Sequence, residues 1–152
     1  MPTHYRGTPK EVRALDAYVK LMRSANTVQA RLDESLKRIG LKENQLGVLE
    51  MLLHLGPLNQ SQIGRKLLLS RANITLLVDQ LAGRGLVRRV RDKDDRRQVA
   101  VHLTAEGKRR IEKVFPSHLR SIVDVFSSLQ PTEQKELARL CRKLGLAGRE
   151  AD

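Results

Sequence analysis

Between Pro57 and Leu103 the chain carries two helix starts, a glycine-bearing turn and an alternating hairpin in immediate succession, and few folds accept that order. Asn59 offers an N-cap for a short helix through about Lys66, with Ile63 and Leu67 inward and Gln60, Gln62 and Arg65 outward. Ser70 caps a second helix, whose stripe Ile74, Leu77, Val78 and Leu81 repeats at helical spacing. Arg71, Asn73, Thr75 and Leu76 then lie nearer the open side. Gly83 and Gly85 end this helix. Leu86 to Val90 and Val99 to Leu103 make two short strands around the tip Arg91-Asp92-Lys93-Asp94-Asp95-Arg96-Arg97. The second strand alternates, with Val99, Val101 and Leu103 on one face and Gln98, Ala100 and His102 on the other.

This is the order of a winged helix-turn-helix, which puts one helix in a DNA major groove and a β-ribbon near the backbone or minor groove. Guanidinium and amide side chains pair with purine edges, and Ser and Thr reach bases or phosphates. Gln60, Gln62, Ser70, Arg71, Asn73 and Thr75 are therefore candidate DNA contacts. Arg88, Arg89 and Arg91, with Lys93, Arg96 and Arg97 at the tip, place positive potential where a wing meets phosphates. A purely electrostatic patch has no use for Asp92, Asp94 and Asp95, so at least one is expected to orient an arginine. A turn-capping aspartate without a DNA role is compatible with this. The second helix alone reads better as an ordinary amphipathic helix; the short helix before it and the hairpin after it reverse that preference.

The charge agrees. Twenty-nine Lys and Arg against 17 Asp and Glu give a formal charge of +12 and a pI near 10.6, as expected of a nucleic-acid binder, although a solvated basic surface gives the same count. Aromatics are 3% of residues and Trp is absent, so base stacking on aromatic platforms is disfavoured and duplex DNA is the better partner. Cys141 is the single cysteine. No intrachain disulfide is available, and a reducing cytoplasm is the expected setting. Neither an apolar leader core nor a run of roughly 18 apolar residues appears, so secretion and membrane insertion are not expected.

The flanks read as long helices. Thr8, Pro9 and Glu11 supply a capping hydroxyl, a first-turn proline and a capping-box carboxylate. Leu15, Val19, Met22, Val28, Leu32 and Leu36 then recur at mostly helical spacing up to Gly40, giving one helix of about 30 residues. So long a helix with so sparse a stripe needs an extended partner, most simply a second copy of the chain. Glu43 to Leu55 makes a structural helix, with Leu46, Leu49, Leu52 and Leu53 on one face, stopped at Gly56-Pro57. Thr104 caps a helix that Pro116 is expected to kink or divide. Pro131 starts a last helix stopped by Gly145, with a frayed tail to Asp152.

The run Gly85-Leu86-Val87-Arg88-Arg89, Asp92-Lys93-Asp94-Asp95-Arg96-Arg97 and Val101-His102-Leu103-Thr104-Ala105-Glu106-Gly107 resembles the wing of the MarR family of transcriptional regulators. The resemblance covers nearly the whole chain. It implies a mainly α (α+β) fold: a winged helix-turn-helix lobe over 41–104, with long N- and C-terminal helices over 8–40 and 105–147 forming a dimerisation region. It implies a homodimer on pseudo-palindromic operators, released in many members by phenols, small aromatic acids or cysteine oxidation. The family's Asp-x-Arg wing motif falls on Asp94 and Arg96, so the arginine would enter the minor groove and the aspartate would hold it. Its recognition helix falls on Ser70 to Leu81. Leu76 departs from the polar or basic residue of many relatives; it either touches a thymine methyl or packs.

The family's effector pocket would bring Arg23, Asn26, His54 and His118 into polar contact with a small molecule, although a structural role is favoured for each. No Trp stands where the urate-responsive branch has one, and the N-terminal cysteine of the peroxide-sensing branch is absent. Cys141, beside Leu140, reads as a buried, inert thiol. No nucleophile triad, paired carboxylates in a Gly-framed loop or phosphate-cradling glycine motif suggests an enzyme. His4, His54, His102 and His118 lack short metal-ligand spacing, and no cofactor or metal is expected. The competing reading is a nonspecific architectural winged helix that binds nucleic acid without a ligand response.

Overall fold

In the computed structural model, residues 4–147 are described, and the expected fraying of the tail to Asp152 lies outside them. Thr8 starts α1 (Pro9–Ile39) as its spacing predicts: the Glu11 amide donates to Thr8 Oγ1 at 3.3 Å, and the Thr8 amide donates to Glu11 Oε2 at 2.7 Å. The helix runs 31 residues. Gly40, at φ +72°, ends it in a left-handed turn that a residue with a Cβ adopts only at a cost. α2 (Glu43–Leu55) follows and stops at Gly56.

Asn59 caps α3 (Gln60–Leu67) by a reciprocal box with Gln62, at 2.8 and 2.9 Å. Ser70 caps α4 (Arg71–Gly83), its Oγ accepting from the Asn73 amide at 3.3 Å. The hairpin is β2 (Val87–Arg91) and β3 (Val99–Leu103), so the first strand begins one residue later than its apolar pattern suggests. A strand that periodicity does not show, β1 (Leu58–Asn59), pairs antiparallel with Val101 and Ala100. Two residues are too few to display alternation. The sheet order is β1-β3-β2.

α5 spans Ala105–Phe126 with Pro116 inside it. The expected division does not occur: the proline removes one N–H, and the helix continues through it, with Ser117 Oγ donating to the Val114 carbonyl at 2.9 Å. α6 covers Pro131–Leu146, one residue past the glycine expected to stop it.

Two compact units are distinguished, residues 33–118 and, among the remaining described residues, 4–32 with 119–147. The first holds the core. Leu49, Ile63, Ile74, Leu81 and Ile111 are fully buried there beside Val48, Val78 and Val101, each of the large side chains contributing about 1.5–3 kcal/mol by burial. Arg110 closes the end of α1 by donating to the Ile39 carbonyl. The second unit is poor in core: Leu32 and Val125 are its buried hydrophobics among the described residues, and α6 has none.

Candidate nucleic-acid interface

The first turn of α4, the start of α3 and the wing all belong to the unit of residues 33–118. Burying Ile74, Leu77, Val78 and Leu81 leaves Arg71, Asn73 and Leu76 exposed and Thr75 half-buried. Leu76 therefore does not pack in the core: it is 57% exposed and available to an apolar contact such as a thymine methyl. Arg71, Arg88, Arg91, Lys93, Arg96 and Arg97 are all exposed. Among the described residues their charged groups make no ion pair or side-chain hydrogen bond.

The wing tip is built by a different aspartate from the one the family motif suggests. Asp92 Oδ1 accepts from the amides of Asp94 and Asp95 at 2.8 and 3.0 Å. Those amides, Asp95 first, hold the Asp92 carboxyl below its ordinary pKa. Asp95 in turn accepts the Arg97 amide at 3.0 Å. Asp94 contributes its backbone, and no hydrogen bond or ion pair joins its carboxylate to Arg96. The expected Asp94–Arg96 pairing is thus not formed in the free protein, because the turn geometry is satisfied by Asp92 and leaves both side chains in water.

Gln62 is only partly available, since its side-chain oxygen caps the Asn59 amide. Gln60 is more committed. Its Oε1 accepts from Arg89 Nε at 2.8 Å and its Nε2 donates to Thr75 Oγ1 at 3.1 Å, while Thr75 Oγ1 donates to the Arg71 carbonyl at 3.0 Å. Arg89 also pairs with Asp79 of α4 at 2.7 Å. One polar chain therefore ties α3, α4 and β2 together. The sequence pattern does not distinguish Arg89 from Arg88; the strand pairing does. In the hairpin register Arg89 stands opposite Val101, which is fully buried, and Arg88 opposite His102. Strand alternation therefore puts Arg89 on the inner face and Arg88 on the outer one. The Arg89–Asp79 pair is partly exposed, at 32% and 56% of the side chains, so it contributes about 0–1 kcal/mol of stability and chiefly fixes orientation.

The residues expected around an effector are divided between the two units. Arg23 lines a groove of about 660 Å³ in the other unit, with Lys20, Arg31, Phe126 and Leu137, and Asn26 is exposed outside that lining. His54 and His118 belong to the unit of residues 33–118. His54 sits edge-on to Phe115, with ring centroids 6.2 Å apart. His118 is buried, its Nδ1 without a hydrogen-bond partner. Burial pushes its pKa down, and nearby Glu43 opposes that shift. Cys141 is exposed rather than buried, and no residue of α6 is buried among the described residues. Among the described residues there is no cluster suited to a metal ion and no helix long and apolar enough to cross a membrane.

The model of the MarR family matches residues 41–99, the stretch from the start of α2 through the wing. The uncharacterized HTH-type transcriptional regulator YkoM of Bacillus subtilis is 35% identical over 134 residues, covering 88% of this chain and 87% of that protein. The chain belongs to the MarR family. Another Bacillus subtilis relative, the HTH-type transcriptional repressor MdtR, is 28% identical over 87% of this chain and 85% of its own length. Among solved structures, the MarR family regulator Sco3205 of Streptomyces coelicolor, in complex with DNA, superposes with a TM-score of 0.83. It shares 25% identity, with 98% of this chain and 96% of that one covered. As a MarR family protein the chain is a transcriptional regulator with a winged-helix fold.

Proposed function

We propose that this MarR family protein is a homodimeric repressor that reads pseudo-palindromic operators. Each α4 enters a major groove, the two half-sites lying roughly 34–36 Å apart, and each wing grips the flanking minor groove through Arg96. The observation that carries this reading is the set of six exposed cations on α4 and the wing that have no side-chain partner among the described residues. Unpaired cations on one lobe supply counterion release, the source of most affinity for duplex DNA. Gln60, Gln62, Ser70, Arg71, Asn73 and Thr75 supply base and phosphate contacts, and Arg88, Arg96 and Arg97 phosphate contacts, with Asp94 beside Arg96.

The DNA complex of Sco3205 and the repressor name of MdtR support the same reading. The exposed Leu137, Leu140 and Leu144 of α6 support a second copy as the covering partner. A phenol or small aromatic acid is the effector class suited to the groove around Arg23, where Lys20, Arg23 and Arg31, with the one acid Glu133, border an apolar floor. Such a ligand acts only by binding one dimer state better than another.

The test is a selection from random duplexes by the full chain, followed by titration at stated salt. A palindromic consensus bound at least a thousandfold more tightly than scrambled duplex is expected, about the lower end for specific regulators. Equal affinity for both would establish the architectural alternative instead.

A further inference from the structure

We infer that Arg89 is a positioning residue that sets the hydrogen-bond polarity of the base-reading face, and with it the preference for adenine over guanine. The inference rests on the operator-reading function proposed above. An arginine guanidinium has donors and no acceptor. Its Nε–H at 2.8 Å therefore obliges Gln60 to turn its carbonyl oxygen toward β2. The amide nitrogen must then face Thr75, where it donates to Oγ1 at 3.1 Å. Thr75 has already placed its one hydroxyl proton on the Arg71 carbonyl. Every member of the chain is thereby left with a single orientation.

What remains for a ligand is fixed by subtraction. Gln60 retains one N–H, a donor, and a second lone pair on the oxygen turned toward β2; Thr75 retains one lone pair, an acceptor beside that N–H. A donor beside an acceptor complements adenine, whose major-groove edge offers the N7 acceptor next to the N6 amino donor; guanine offers two acceptors, N7 and O6. Without Arg89 the Gln60 amide can rotate, the Thr75 hydroxyl can reverse, and the same two side chains present either pattern. Asp79 holds the guanidinium at 2.7 Å and neutralises it, so Arg89 is not a phosphate contact and its charge does not enter the count of released counterions.

The full chain and its Arg89→Met variant are each used to select duplexes from a random library. Both are then titrated by fluorescence anisotropy against the wild-type consensus and a scrambled duplex across a salt series. Met keeps an unbranched aliphatic stem and removes every side-chain donor. The expected result is a loss of about tenfold in the consensus-to-scrambled ratio, entry of guanine where wild type takes adenine, and an unchanged salt slope. Arg89→Lys, which keeps the pair with Asp79, should recover part of the ratio. An unchanged consensus and ratio would overturn the inference, and so would a salt slope reduced by about one, which marks a phosphate contact. If Arg89→Met does not fold, Gln60→Glu carries the test: it keeps the Arg89 contact but leaves no outward donor, so an unaltered consensus overturns the inference equally. A wild-type selection that returns no consensus overturns the proposed function itself.

Discussion

The Thr104 hydroxyl donates to the Gly85 carbonyl at 2.6 Å while accepting the Gly107 amide at 2.9 Å, so one side chain both caps α5 and ties it to the turn that launches the wing. The Thr104 amide also donates to the Leu86 carbonyl. This draws Gly107 so close that a Cβ there would lie 1.9 Å from that carbonyl oxygen. Gly107→Ala should therefore destabilise the protein by about 1–3 kcal/mol despite alanine's better helix propensity. Urea unfolding measures this, and a midpoint equal to wild type would refute the tight approach.

Leu68 is the only non-glycine with a positive φ among the described residues, at +56°, and its side chain is 58% exposed. Little packing is lost on replacing it, whereas the left-handed conformation strains any Cβ. Thermal midpoints should rank Leu68→Gly above wild type and wild type above Leu68→Val, in steps of about 0.5–1 kcal/mol. The opposite ranking would show that side-chain contacts outweigh the backbone term.

Burial lowers the His118 pKa, so the folded chain resists protonation more than the unfolded one. The sign follows from linkage: the contribution is fully present above the unfolded histidine pKa, near 6.5, and is lost as pH falls through the lower folded value. Chemical-denaturation midpoints should decline from pH 7.5 toward 5, and His118→Leu should flatten that decline. An identical pH profile for the two proteins counts against a desolvated imidazole.

Within the wing, Arg96 and Asp92 have separable roles. Arg96→Ala should weaken operator binding about tenfold and lower the salt slope by about one. Asp92→Ala should speed amide exchange across residues 94–97 in the free protein, because its carboxylate holds two of those amides. Asp94→Ala should leave that exchange as it is. Faster exchange from the Asp94 variant alone would return the turn-holding role to Asp94.

On α6, Leu140 and Leu144 are 47% and 63% exposed in the single chain. A second copy covering them makes the pair Leu140→Glu, Leu144→Glu a monomer by sedimentation at micromolar concentration, with the wild type a dimer. Two sedimenting species of equal mass would place the contact elsewhere.

The elements and their order follow from residues close together in the chain. Thr8 with Glu11, Asn59 with Gln62, Ser70 with Asn73 and Thr104 with Gly107 are all contacts three residues apart, and such local spacing fixes where a helix starts whatever surrounds it. The apolar stripes of α2 and α4 and the alternation of β3 likewise mark their inner faces through the backbone's own period. Tertiary structure decided what depends on a distant partner. Strand pairing separated Arg89 from Arg88 and turned the former into the anchor of Gln60 and Thr75. It also recruited Leu58–Asn59 to the sheet. The turn geometry chose Asp92 over Asp94 from three equivalent carboxylates. Packing buried His118 and left Cys141 open. Each of these outcomes turns on which surface meets which across the fold, and residue type and spacing do not carry that information.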